Sequence, residues 1–239
     1  MFGLKRRRRP QAPVVAVQSL ESRALMSATA RIDNGVLRVE GTSGNDRIII
    51  KNYADRTQVL AGNGVFFDQP TSKFQSIDIK LKGGNDSLSL RHGRAQFNSI
   101  RVDTGSGASA SLHLETAYIG TLSIVAMNTN SVDAVVMNST VNTLNAEFGD
   151  GNDELKLEGT TVNDCRTVTM GGGQDLFHLV GRSTVNGGKI SMGAGNDEVS
   201  SAYNSRIHAF VVGGAGYDTI KGTAVARHDQ FENFKIRWA

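Results

Sequence analysis

A cluster of Gly, Asn and Asp followed by alternating apolar residues recurs along this 239-residue chain. It reads GTSGNDRIII from Gly41, KGGNDSLSL from Lys82, GDGNDELKL from Gly149, GGGQDLFHL from Gly171, GAGNDEVSS from Gly193 and GGAGYDTIK from Gly213. Two worn copies lie between them: SGASASLHL from Ser106, with Ala110 at the aspartate position, and NTNSVDAVVM from Asn128, which keeps Asp133. The aspartate register is then 46, 86, 110, 133, 153, 175, 197 and 218, so after one gap of 40 the copies follow every 20 to 24 residues. Two residues beyond it lie Ile48, Leu88, Leu112, Val135, Leu155, Phe177, Val199 and Ile220, all apolar, and Met137 stands four beyond Asp133. Alternation of period two is the signal of a half-buried strand.

A second alternating run precedes each cluster, as in Ile77/Ile79/Leu81 and Leu144/Ala146/Phe148. A third short segment separates the two: Ser139-Thr140-Val141-Asn142, Thr160-Thr161-Val162-Asn163 and Ser183-Thr184-Val185-Asn186. Each unit therefore offers up to three short strands in about 22 residues, too few to enclose a core alone. Stacked in register on its neighbour, each unit buries a continuous apolar column. The fold expected is all-β, a parallel β-helix or β-solenoid over 77–222. At the ~4.8 Å strand spacing, seven coils span roughly 30–35 Å.

Residues 31–76 read differently. Asp33-Asn34-Gly35 and Gly62-Asn63-Gly64 are hairpin signals, because Asn and Gly accept positive φ. A β-meander of Val36–Glu40, Arg47–Lys51, Thr57–Ala61 and Val65–Phe67 is expected to cap the first coil. Phe231, Phe234, Ile236 and Trp238, within 223–239, are expected to cap the last one, since open strand edges invite aggregation. The Asn142, Asn163 and Asn186 series predicts a stacked amide ladder, with its flanking Ser and Thr residues at turns and on the surface.

Composition agrees with this reading and narrows function. Twenty-seven Gly with 6% aromatic residues argue against a helical bundle, where interior glycine is costly. The glycines lack a period of three, and three prolines are too few for a polyproline stalk. No apolar run approaches the ~20 residues of a membrane-spanning helix. The single Cys165 forms no internal disulfide and reads as inert packing. The formal charge of +3 belongs to the amino-terminal segment: residues 1–28 hold six basic side chains and one acidic one, leaving 20 of the 26 basic and 22 of the 23 acidic groups in the body. A body without a basic stripe is a poor nucleic-acid binder.

The segment 1–30 places the basic block Lys5–Arg9 before a mildly apolar stretch, and Ala28-Thr29-Ala30 has the small-x-small form of a signal-peptidase site. Gln18, Glu21 and Arg23 interrupt the apolar part, and a solvated basic arm fits the same composition. Leu20-Glu21-Ser22-Arg23-Ala24-Leu25-Met26-Ser27-Ala28 resembles the LEPR-x-LL motif of planctomycete surface and exported proteins, departing from it at Ser22 and Met26. That resemblance implies export to an extracellular or cell-surface address.

The glycine-aspartate clusters resemble the G-G-x-G-x-D repeat of RTX calcium-binding β-roll proteins. It is carried by Gly171-Gly172-Gly173-Gln174-Asp175, Gly193-Ala194-Gly195-Asn196-Asp197 and Gly213-Gly214-Ala215-Gly216-Tyr217-Asp218. The resemblance implies weak calcium binding between coils. Asp150, Asp153, Asp175, Asp197 and Asp218 would supply carboxylates, with Asn152, Asn196 and the turn carbonyls of Gly173, Gly195 and Gly216 beside them. The motif departs from the family in coming once per ~22 residues instead of every nine. The alternative is a metal-free ladder of Asn and Asp capping neighbouring turns.

Polysaccharide lyases and hydrolases also occur on parallel β-helices. Glu154, Lys156, His178 and Glu198 form the one outward patch that invites that comparison, and charged residues on an exposed strand face are the ordinary case. His92, His208 and His228 have no evident partners. No nucleophile elbow, phosphate loop or zinc signature appears. The sequence thus points to an exported, non-enzymatic structural solenoid with calcium as its expected cofactor. Envelope polysaccharide or other surface proteins are its expected partners, and a carbohydrate-binding or carbohydrate-cleaving β-helix is the alternative.

Overall fold

The computed structural model describes residues 28–62, 64–92, 96–116, 118–222, 231–232 and 234–236. Of the segment 1–30 read as targeting, residues 1–27 lie outside the described residues, as do Asn63, His228 and Trp238, whereas Ala28 is buried and Thr29 and Ala30 begin the first strand. The side chains of His92, Phe231 and Ile236 also lie outside the description.

The chain is a parallel β-solenoid with two long faces. One face has ten strands, among them β2 (Val36–Glu40), β6 (Ser76–Lys80), β8 (Gln96–Asp103), β11 (Tyr118–Ala126), β14 (Thr140–Phe148), β16 (Thr161–Thr169), β18 (Thr184–Ala194) and β20 (Arg206–Ala215). The other has eleven, among them β3 (Arg47–Asn52), β7 (Asp86–His92), β10 (Ala110–Glu115), β13 (Val132–Met137), β15 (Glu154–Glu158), β17 (Leu176–Val180), β19 (Glu198–Ser201) and β21 (Asp218–Gly222). Each coil contributes one strand to each face, and neighbouring coils pair in parallel.

The expected third strand is not separate. Val141, Val162 and Val185 open the same strands that end in Phe148, Thr169 and Ala194. Irregularities between Thr143 and Asn145, Val162 and Thr167, and Asn186 and Lys189 let the coils bend there. A bulge absorbs an extra residue while keeping the strand continuous, and Cys165 fills the interior at one of these irregularities.

The inward columns are as stacked as the repeat requires. Leu88 lies over Leu112, Leu155 over Phe177 and Phe177 over Val199, all buried. One copy is shifted by a residue from the sequence reading. Ala134 pairs with Leu112 and Leu155, and Val136 with Leu114 and Leu157, so Ala134 and Val136 face inward while Val135 and Met137 face out. Asp133 is paired with Ser111 and Glu154 and is exposed; its expected place in the aspartate register belongs to Val132. Both registers keep alternation, and only contact with the neighbouring coils selects one.

The amino-terminal region also differs from the expected separate meander. β2 and β3 already belong to opposite faces, parallel to β6 and β7, so the first coil starts at Val36 instead of Ile77. β1 (Thr29–Asp33) folds back on β2, and β4 (Arg56–Ala61) with β5 (Gly64–Pro70) forms an antiparallel extension of β3. That excursion accounts for the 40-residue gap between the first two copies. It returns through a short 3-10 turn (Thr71–Lys73), after which Phe74 stacks on Phe97 with ring centroids 6.3 Å apart. At the far end Phe234 packs against the core cluster.

Glycine is required at the turns by its neighbours as well as by its dihedral. Gly173 (φ 133°) and Gly195 (φ 145°) approach the preceding coil so closely that a Cβ on either would sit on the carbonyl oxygen of Gly151 or Gly173. Gly195→Ala is expected to cost about 3 kcal/mol, combining a disfavoured φ with a backbone clash that cannot relax. Gly35→Ala, at φ 74° with open space around it, should cost about 1 kcal/mol. Urea unfolding of the two variants checks the contrast; equal losses would contradict it.

Candidate functional site

The glycine turns deliver the aspartates to the interior. Asp86, Ala110, Val132, Asp153, Asp175, Asp197 and Asp218 occupy one column, each two residues before an inward apolar side chain. All are at most 5% exposed. That Ala110 and Val132 fill the same place marks the column as part of the core, whereas the sequence reading placed it on the turn.

Each aspartate caps the coil before it. The Asp153 main-chain N–H donates to Oδ1 of Asp175 (2.9 Å), that of Asp175 to Oδ1 of Asp197 (2.9 Å) and that of Asp197 to Oδ1 of Asp218 (3.0 Å). The Val132 N–H does the same to Asp153 (2.7 Å), and the Asp46 N–H to Asp86 (2.9 Å). Main-chain carbonyls continue the pairing, with Leu176 N–H donating to Asp153 O and Glu198 N–H to Asp175 O. A second file runs the opposite way along the outside. Oδ1 of Asn45, Asn152 and Asn196 accepts from the N–H of Asn85, Gln174 and Tyr217 in the following coil, each at 2.8 Å.

A third file stands at the start of the other face and was missed in the sequence. Thr116, Ser139, Thr160, Ser183 and Ser205 are buried. The N–H of each of the first four donates to the hydroxyl of the next, at 3.2, 3.4, 3.0 and 3.1 Å. The hydroxyls of Ser139, Thr160 and Ser183 in turn donate to carbonyls, as Ser139 does to Met137 O and Ser183 to Val180 O, both at 2.6 Å. Of these, Ser139, Thr160 and Ser183 were expected at turns and on the surface, because Ser and Thr beside a turn usually are. The signal was their recurrence at the coil spacing. The expected amide ladder is not the stacking element: Asn142 and Asn163 are exposed, and Asn186 donates to the Val162 carbonyl at 3.1 Å.

The remaining oxygen of the aspartates is unusual. Oδ2 of Asp86, Asp153, Asp175, Asp197 and Asp218 is buried without a hydrogen-bond partner. Burial pushes the carboxyls of Asp86 and Asp153 up to about 6 and that of Asp175 up to about 7, and it raises Asp197 as well. Accepted N–H bonds oppose the shift, while the charges of Asp153 and Asp197 add to it at Asp175. Desolvation disfavours the ionised form, which is the direction seen. The buried Cys165 thiol is likewise pushed up to about 12 by burial, then by Asp164, in keeping with an inert packing role.

Calcium needs six to eight oxygen ligands, and this column does not assemble them. One oxygen per aspartate already accepts an N–H, so a gap between coils offers two free carboxylate oxygens. The carbonyls of Gly149, Gly171 and Gly172 accept N–H bonds from neighbouring coils. Those of Gly151, Gly173 and Gly195 lie against the next coil's glycine at Gly173, Gly195 and Gly216. Asp150, Asn152 and Asn196 are exposed on the outside, apart from the buried aspartates. Among the described residues, no three His, Cys, Asp or Glu side chains gather as a metal site.

The outward patch is a paired, solvated surface. Leu176 lies between Glu154 and Glu198, and Lys156 is beside His178. Lys156 pairs with Glu158 at 2.9 Å, and Glu198 with Lys221 at 2.7 Å. Exposed pairs of this kind contribute little to stability. No described helix is long and apolar enough to cross a membrane. No family model, curated protein or solved structure matches this chain.

Removing one hydroxyl from the Ser/Thr file should orphan a buried N–H. Ser183→Ala is expected to lose about 1–3 kcal/mol, whereas Ser183→Thr, the residue type already at Thr160 in the same file, should lose much less. Chemical unfolding of both variants decides it, and an unaffected Ser183→Ala would contradict the role.

Proposed function

We propose that this chain is an exported structural rod of the envelope or extracellular space, and that its coils are held by hydrogen-bonded files without a metal. The observation that carries this reading is the aspartate column, in which one oxygen of each carboxyl accepts a main-chain N–H of the preceding coil. Satisfied main-chain groups in a continuous apolar interior give a stiff, extended body whose two broad faces are free to meet other molecules. The mixed, internally paired charges of those faces favour a scaffold over a catalyst. The basic amino-terminal block and its LEPR-x-LL-like sequence support an address outside the cytoplasm.

Thermal melts in EDTA and in 5 mM calcium chloride test the metal-free part. Coincident midpoints are expected. A calcium-dependent rise at a concentration that saturates weak extracellular sites (~10⁻⁴–10⁻³ M) would instead establish the column as a ligand. Protease treatment of intact source cells tests the address: loss of the full-length protein without lysis is expected, and protection until lysis would contradict export.

A further inference from the structure

We infer that the column at Asp153, Asp175 and Asp197 works as a file of neutral acceptors, these carboxyls keeping their protons inside the coil, so that acid tightens the rod and alkali loosens it. The inference rests on the metal-free reading above and goes beyond it by assigning a response to pH.

Four observations carry it. The column lies in the core, and two of its places are held by Ala110 and Val132, so the site has no need of charge. Its structural task, accepting one main-chain N–H, is done by Oδ1 alone. Oδ2 of Asp153, Asp175, Asp197 and Asp218 is buried with no hydrogen-bond donor beside it. An ionised carboxylate left there would be far costlier than a neutral acid with an unused hydroxyl.

Among the described residues, the charges that act on Asp175 and Asp197 are negative. Along the column the charges acting on Asp175 are Asp153 and Asp197, and that acting on Asp197 is Asp218, all of the same sign. The inward residues of the strands entering the turns, Phe148, Met170 and Met192, are apolar, as are Leu155, Phe177 and Val199 on the strands leaving them. The charged side chains beside the column, Glu154 and Glu198, alternate onto the outer face.

The sign follows from linkage. A carboxyl whose folded pKa is raised holds its proton in the native state after the unfolded chain has released it. Its contribution is complete below the unfolded value of 3.8 and is lost as pH rises through about 6 at Asp153 and about 7 at Asp175. Between those limits the unfolding equilibrium constant should rise by up to about tenfold per pH unit for each retained proton.

The test is the unfolding midpoint of the full chain between pH 4.5 and 8.5, in EDTA and in 5 mM calcium chloride. It compares the native protein with Asp175→Asn, Asp197→Asn and Asp175→Ala. The native midpoint is expected to fall as pH rises in both buffers. Each Asn variant should show a shallower fall and stand above the native protein at pH 8.5, because the amide oxygen still accepts the N–H without a buried charge. Asp175→Ala should be weaker at pH 4.5, having lost the acceptor. A native midpoint that is flat or rises with pH overturns this inference and leaves the metal-free rod standing. A midpoint raised by calcium at pH 8.5 and insensitive to it in Asp175→Asn overturns both. The native profile alone is decisive if an Asn variant fails to fold.

Discussion

The structure depends on a main-chain N–H in one coil finding an acceptor in the next at a corner where the sheet ladder alone does not supply it. Within the faces, parallel pairing satisfies the backbone. At the corners the chain turns inside a closed cross-section, and an unmet N–H there would be costly. Two side-chain files meet the need, carboxylates at one corner and hydroxyls at another. Each acceptor must lie above its donor, so every coil is locked to its neighbours' register. The apolar columns follow that register.

The two files solve the same problem with different chemistry. A hydroxyl accepts one N–H and passes its own proton to a carbonyl, so Ser139, Thr160 and Ser183 are satisfied at both ends. A carboxyl that accepts one N–H has a second oxygen to spare, so each aspartate of the column leaves one oxygen idle. The glycines beside it are the steric counterpart. They let the turns approach until a carbonyl oxygen of one coil occupies the space that a Cβ on the next coil's glycine would take. The Gly-x-Gly-x-Asp pattern is thereby explained by packing before any ligand is considered.

Much of this was legible in the sequence. The coil length, the parallel stacking and the columns through Leu88, Leu155, Phe177 and Val199 followed from one repeated cluster, because alternation and spacing are what a solenoid core demands. The reading failed where a local pattern admits two registers. Asp133 matched the cluster by type, yet Val132 occupies the interior, since only the coils above and below distinguish an inward from an outward place. Ser139, Thr160 and Ser183 were hidden by composition: polar residues near turns are usually solvated, and their burial is visible only once their donors are known. The inward direction of Asp175 was obscured in the same way, by a residue type that ordinarily faces water. The first coil was misplaced because the β4–β5 excursion breaks the period that identified the rest.

That excursion has a consequence for how such a molecule accommodates change. A complete antiparallel hairpin extends the second face beyond β3, at the end of the stack, before the chain returns at β6, while Ile48 still lies over Leu88 and Leu37 over Ile77 as though nothing intervened. The outer strand edge of the first coil is therefore a permissive junction. New sequence can bud outward from it while the interior files stay aligned, and a uniform scaffold can carry ornaments of unrelated shape.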